Sequence, residues 1–91
     1  MKRQYRCYLA DFDENKSSEV HTFTANNLNH AKRQATQLLG FEDGTWQDGY
    51  NMRGYKMNNP DKQVDWDLQW WKVPSGIIIK LPRIVLERIE L

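Results

Sequence analysis

Phe23-Thr24-Ala25-Asn26-Asn27-Leu28-Asn29-His30-Ala31-Lys32-Arg33-Gln34-Ala35-Thr36-Gln37-Leu38-Leu39-Gly40 is the stretch on which the fold turns. Leu28, Ala31, Ala35, Leu38 and Leu39 recur at the spacing that lines one side of a 3.6-residue period, the pattern of a helix laid against a core. Asn27 can offer its side-chain oxygen to amide groups that the first helical turn leaves without partners. Gly40 stands where a helix ends in a left-handed residue. The spacing therefore predicts a helix over 28–39. His30 occupies the position where a capping box carries Glu or Gln, so that device is not expected.

Upstream of the helix, residues 20–25 are rich in β-branched and aromatic side chains and read as a strand. Before them, Asp13-Glu14-Asn15-Lys16-Ser17-Ser18 is a cluster of turn formers. Residues 4–12 alternate, with Tyr5, Cys7 and Leu9 on one face and Arg6, Tyr8 and Ala10 on the other. The two strands make a hairpin. Downstream, Asp43-Gly44 and Asp48-Gly49 bracket Thr45-Trp46-Gln47, which predicts a loop or short hairpin over 41–50. Residues 51–57 form a candidate strand weakened by Gly54, and Asn58-Asn59-Pro60-Asp61 is a turn.

The sharpest strand pattern covers 63–73. Val64, Trp66, Leu68 and Trp70 point one way, to the core, while Asp65, Asp67 and Gln69 point the other way, to water. Pro74-Ser75-Gly76 is a turn, and Ile77-Ile78-Ile79-Lys80-Leu81 reads as a buried strand. Residues 83–91 fit either a strand or a short helix opened by Pro82, and the Ile84-Val85-Leu86 run favours a strand. The order is ββαβββ, with one further strand allowed. An α+β fold follows: a mostly antiparallel sheet of about five strands with one helix packed on one face. The apolar C-terminal strands need a partner, and their edge would pair a second copy of the chain if nothing inside the chain covers it.

Composition narrows the function classes. The 91 residues suit one domain spanning 1–91, with 40% hydrophobic and 27% charged residues. Thirteen Lys and Arg against twelve Asp and Glu leave a net charge of +1, so any electrostatic function resides in local patches. Cys7 is the single cysteine, which excludes an intrachain disulfide and fits a reducing, cytoplasmic setting. No apolar run approaches a membrane span, no leader pattern is present, and Asn15-Lys16-Ser17 reads as a chance sequon in a polar turn.

Catalytic groupings are absent from the pattern. Cys7, His21 and His30 lack the short paired spacings of a zinc site. Asp11-x-Asp13 and Asp65-x-Asp67 pair carboxylates, but no third ligand stands near them, and the solvated side of a strand explains the second pair. Cys7 falls on an apolar strand face, Ser17, Ser18 and Ser75 lie in turns, and no nucleophile elbow or phosphate-binding glycine loop occurs. No catalytic residue, metal ligand or cofactor is expected; metal-dependent hydrolysis through Asp65 and Asp67 is the weakest of three readings.

Binding is the stronger reading. Four tryptophans and four tyrosines are many for this length, and such side chains anchor interfaces because they bury large areas at low entropic cost. Trp66 and Trp70 share the core face. Trp71, one residue out of phase, and Trp46, in the Gly-rich loop, have no evident core role and are the predicted partner contacts, with Arg53, Tyr55, Lys32 and Arg33 beside them. The alternative is direct nucleic-acid binding through Arg3, Arg6, Tyr8, Arg53, Tyr55 and Lys56, where cations interleave with aromatics. Arg53-Gly54-Tyr55 begins like the core signature of an RNA-recognition motif and departs from it at Lys56.

The junction Phe23 to Ala35 resembles the strand-to-helix junction of small phage and mobile-element proteins, anti-CRISPR proteins with a β-sheet and one helix among them. What recurs is Ala25, Leu28, Ala31-Lys32-Arg33 and Ala35, about an eighth of the chain. The resemblance implies a small inhibitor that covers a surface on a larger protein or nucleoprotein machine.

Overall fold

The computed structural model describes residues 2–10, 18–40, 42, 44–52, 66–74 and 82–89. Its elements are β1 (Arg3–Ala10), β2 (His21–Ala25), α1 (Leu28–Leu39), β3 (Thr45–Asp48), one helical turn α2 (Gly49–Met52), a 3-10 turn (Trp66–Leu68), β4 (Gln69–Val73) and β5 (Arg83–Arg88). The expected α+β architecture is the one formed: five antiparallel strands in the order β2-β1-β5-β4-β3, with α1 packed against the sheet.

Three expectations change. The third strand is Thr45–Asp48, which pairs with β4 from Thr45↔Val73 to Asp48↔Trp70; Thr45 and Trp46 suit an edge strand better than the Gly54-containing segment does. Asn51 and Met52 close α2 instead, while 53–57, like 77–81, lie outside the described residues. β4 begins only at Gln69, because Trp66–Leu68 wind into a 3-10 turn. Finally, the C-terminal strand has no free edge. β5 sits in the middle of the sheet, bonded to β1 from Tyr5↔Arg88 to Ala10↔Arg83 and to β4 from Gln69↔Glu87 to Lys72↔Ile84. Its Ile84-Val85-Leu86 run is apolar on both sides because both faces of a central strand are covered. β5 therefore offers no edge to a second copy, and 77–81 lie outside the described residues.

Helix α1 has the ends its sequence predicts. Asn27 Oδ1 accepts from the His30 amide at 2.8 Å, and Gly40 takes φ 87°, donating its N–H to the Thr36 carbonyl at 2.6 Å. His30 forms no capping box: its Nδ1 accepts from the amide of Asn26, one residue before the N-cap, at 3.2 Å. The ring's Nε2 lies 2.9 Å from Gln34 Nε2.

Ala31 and Ala35 form the buried stripe of α1, and their small size lets the helix lie close to the strands. Beneath them Tyr5, Cys7, Ala25, Ile84 and Leu86 are buried, with Leu9, Phe23, Leu28, Leu39, Trp46 and Trp70 packed around the margin. Tyr5 stacks on Phe23 at 6.1 Å between centroids. The opposite face carries a second cluster of Tyr8, Ala10, Trp71 and Val85, with Val73 against it. No described helix is long and apolar enough to cross a membrane.

Candidate functional site

Two flanks rise from the buried stripe of α1. Lys32 and Thr36, one turn apart, lean toward β3 and β4; His30, Gln34 and Leu38 lean toward β2. The first flank and the strands below it enclose an open groove of about 740 Å³ lined by Asn27, Asn29, Lys32, Arg33, Thr36, Gln37, Trp46 and Lys72. Three residues predicted from sequence as partner contacts, Trp46, Lys32 and Arg33, are thus brought to one place.

Trp46 reaches this position because β3 pairs Trp46 with Lys72, and Lys72 in turn lies beside Ile84 on the helix-facing side of the sheet. The Lys32 ammonium stands 5.8 Å from the Trp46 ring centroid and the Lys72 ammonium 5.9 Å. Both are within cation–π range. Lys72 is 6% exposed, and its Nζ donates to Thr36 Oγ1 at 3.0 Å; that hydroxyl donates onward to the Lys32 carbonyl at 2.9 Å. Gly44 makes room for the lysine stem: a β-carbon there would lie 2.8 Å from Lys72 Cγ and 2.8 Å from the Val73 carbonyl oxygen.

Among the described residues no carboxylate pairs with Lys32, Arg33 or Lys72. Two ammoniums and a guanidinium therefore border one groove with only an indole ring, hydroxyl and amide groups as described neighbours. The charges of these described side chains make the groove positive, and a buried ammonium with no counter-charge among the described residues is held at a desolvation cost that an incoming anion relieves. Sequence reasoning missed Lys72. The signal was present, since alternation along Trp70-Trp71-Lys72-Val73 sets a lysine on the same side as Trp70, the core side.

Trp71 corrects the interface list. It is 1% exposed in the second cluster, donating Nε1–H to Gln69 Oε1 at 2.6 Å, with the Arg83 guanidinium 5.7 Å from its ring. Its phase was read correctly, opposite to Trp70, but that face of β4 is not wet: Gln69, also expected in water, is 1% exposed.

The basic-aromatic set on β1 is likewise committed internally. Tyr8 is 2% exposed and donates its hydroxyl to Glu87 Oε1 at 2.9 Å. Arg6 Nε donates to Glu87 Oε2 at 2.6 Å, and Gln69 Nε2 donates to Glu87 Oε1 at 2.9 Å. Burial raises the Glu87 pKa, but the bonds from Tyr8 and Arg6, the Arg6 charge and the Gln69 amide outweigh it, holding the carboxyl below the ordinary glutamate value. Arg3 is exposed at the start of β1. Arg53, Tyr55 and Lys56 lie outside the described residues, as does Asp65; Asp67 is exposed in the 3-10 turn.

Cys7 is fully buried beneath the helix, and burial pushes its thiol up to about 11, far from a nucleophile's range. Among the described residues no three His, Cys, Asp or Glu side chains gather as metal ligands. No protein-family model, curated protein or solved structure matches the chain.

Proposed function

We propose that this chain is a non-enzymatic interaction protein whose basic groove, formed by Lys32, Arg33, Lys72 and Trp46, receives an acidic segment of a protein partner. The observation that carries the reading is the convergence of two ammoniums, Lys32 and Lys72, on one half-buried indole ring, with Arg33 lining the same groove and no carboxylate among the described residues pairing any of the three. Carboxylates entering there gain charge-assisted bonds to ammoniums already held in place by Thr36 and the ring, so little side-chain entropy remains to be lost. Trp46 contributes the apolar contact that gives such a site its anchor.

Direct nucleic-acid binding fits less well. Base stacking needs an open aromatic face, and two ammoniums stand over Trp46; Tyr8 is buried and Arg6 is engaged by Glu87. The narrower idea of a phage or mobile-element inhibitor rests on the Phe23 to Ala35 resemblance.

A fluorescent oligoglutamate peptide and a fluorescent single-stranded oligonucleotide provide the test, by anisotropy across a salt series. The peptide is expected to bind, to weaken as salt rises, and to lose at least tenfold in affinity in the double variant Lys32→Glu, Arg33→Glu. Absence of peptide binding, or binding indifferent to the charge reversal, overturns the proposal. Tighter binding of the oligonucleotide, with a steep salt slope, transfers the groove to the nucleic-acid reading.

A further inference from the structure

The second flank of α1 faces a different surface, the outer edge of β2. Main-chain phase along β1 determines what that edge presents. The Ile89 amide donates to the Gln4 carbonyl at 2.9 Å, so Gln4, Arg6 and Tyr8 direct their peptide groups toward β5. The alternate residues, Arg3, Tyr5 and Cys7, bond toward β2, where they oppose Ala25, Phe23 and His21. The Leu9 amide agrees with this phase, donating to Ser18 Oγ at 2.8 Å. By alternation, the N–H and C=O groups of Thr22 and Thr24 point outward from the sheet, and no described group takes them.

Edge strands are normally guarded by charge, proline, a bulge or brevity. β3, the other edge, has only four residues and carries Asp48. β2 is longer, His-Thr-Phe-Thr-Ala, with no proline and no carboxylate, lysine or arginine. Beside it, a groove of about 800 Å³ runs between β2 and α1, flanked by Val20 at 42% exposure and Leu38 at 49%.

We infer that the β2 edge pairs antiparallel with the β2 edge of a second copy of this chain, the two-fold axis passing through Phe23. A two-fold interface demands a self-complementary surface. Thr22-Phe23-Thr24 is palindromic about Phe23, so Thr22 of each copy opposes Thr24 of the other, and the outward peptide groups of each strand are satisfied together. Phe23 meets its counterpart at a non-hydrogen-bonded position, where side chains approach most closely.

Charge complementarity supports the same register. Continued past the strand ends, it sets Glu19 opposite Asn27 of the second copy, the N-cap of α1. That helix has no acidic residue in its first turn, and Glu19 is exposed. A carboxylate is favoured at such a position by the amide groups and dipole of the helix. Strand pairing alone is small beside the roughly 800 Å² per partner of a stable interface; Val20, Leu38 and the His30–Gln34 flank of α1 supply the remaining surface. Lys32, Trp46 and Lys72 lie on the opposite flank and only Arg33 and Gln37 border both grooves, so neither Thr24→Pro nor Leu38→Lys touches a residue of the acidic-partner groove.

Sedimentation velocity across a concentration series tests it, with Thr24→Pro and Leu38→Lys as variants. Proline at 24 removes an outward N–H that the β1 ladder does not use, a position an edge strand tolerates. The wild-type chain is expected to dimerise reversibly at micromolar concentration, with Thr24→Pro monomeric at an unchanged circular dichroism spectrum. Leu38→Lys, at an exposed helical position, is expected to weaken the dimer at least tenfold and covers the case in which the proline variant does not fold. A wild-type monomer throughout the series, or a dimer that a folded Thr24→Pro or Leu38→Lys leaves intact, overturns the inference.

Discussion

Replacing Glu87 with Gln keeps the shape of the side chain and removes its charge, which isolates the work done by the carboxylate between β1, β4 and β5. Oε1 accepts from Tyr8 and Gln69, each at 2.9 Å, and Oε2 accepts from Arg6 at 2.6 Å. If the amide oxygen of the variant stays with Tyr8 and Gln69, both bonds fall from charge-assisted to neutral strength, a loss of about 1 kcal/mol each. The new NH₂ then meets the Arg6 donor. Arg6 is 50% exposed and swings to water, so that pair contributes only about 0.5 to 1 kcal/mol. The total is about 2 to 3 kcal/mol, against a stability of roughly 5 to 14 kcal/mol for a chain of this size. Urea unfolding followed by circular dichroism reads this as a midpoint lowered by about 2 M. Because the folded-state pKa of Glu87 is depressed, its stabilisation is fully present above the unfolded carboxyl's titration range. It disappears as pH falls through the lower folded value. The gap between wild type and Glu87→Gln should therefore close in acid. A variant within about 0.5 kcal/mol of wild type at pH 7, or a gap that stays constant from about pH 7 down to about pH 3, would refute the assignment.

Gly44→Ala forces a methyl group against Lys72 and the Val73 carbonyl, both at 2.8 Å from the added carbon; a loss of about 1 to 3 kcal/mol in thermal or urea unfolding is expected. Cys7, fully buried and with its thiol pushed up to about 11, should resist iodoacetamide at neutral pH in the native protein and react at the rate of global unfolding, as measured by mass spectrometry.

Local chemistry explains what could be read along the chain. The helix, its Asn27 and Gly40 ends and the first two strands depend on neighbours a few residues apart, and they formed where periodicity placed them. Glu87 could not be found in this way, because its partners Arg6 and Tyr8 lie 81 and 79 residues away. Trp71 failed for a related reason. Alternation reports the side of the strand to which a residue belongs, but not whether that side is covered, and coverage depends on where β4 sits in the sheet. The groove stood between these cases: Lys32, Arg33 and Trp46 were recognisable as surplus charge and surplus aromatic surface, while Lys72 joined them only through the register of β3 on β4.

The position of β5 bears on how the chain folds. Without it, β1 with β2 and β3 with β4 are separate two-stranded ladders, each with too little apolar surface to persist alone in water. β5, the last strand in chain order, joins them, and its bonds to β1 close a loop spanning nearly the whole described chain. The loop entropy is paid before the central rows of the sheet form, which places this protein among slower-folding topologies. It also makes the two halves cooperative: a fluctuation that frees β5 releases both ladders at once, so its central amides should exchange only through complete unfolding.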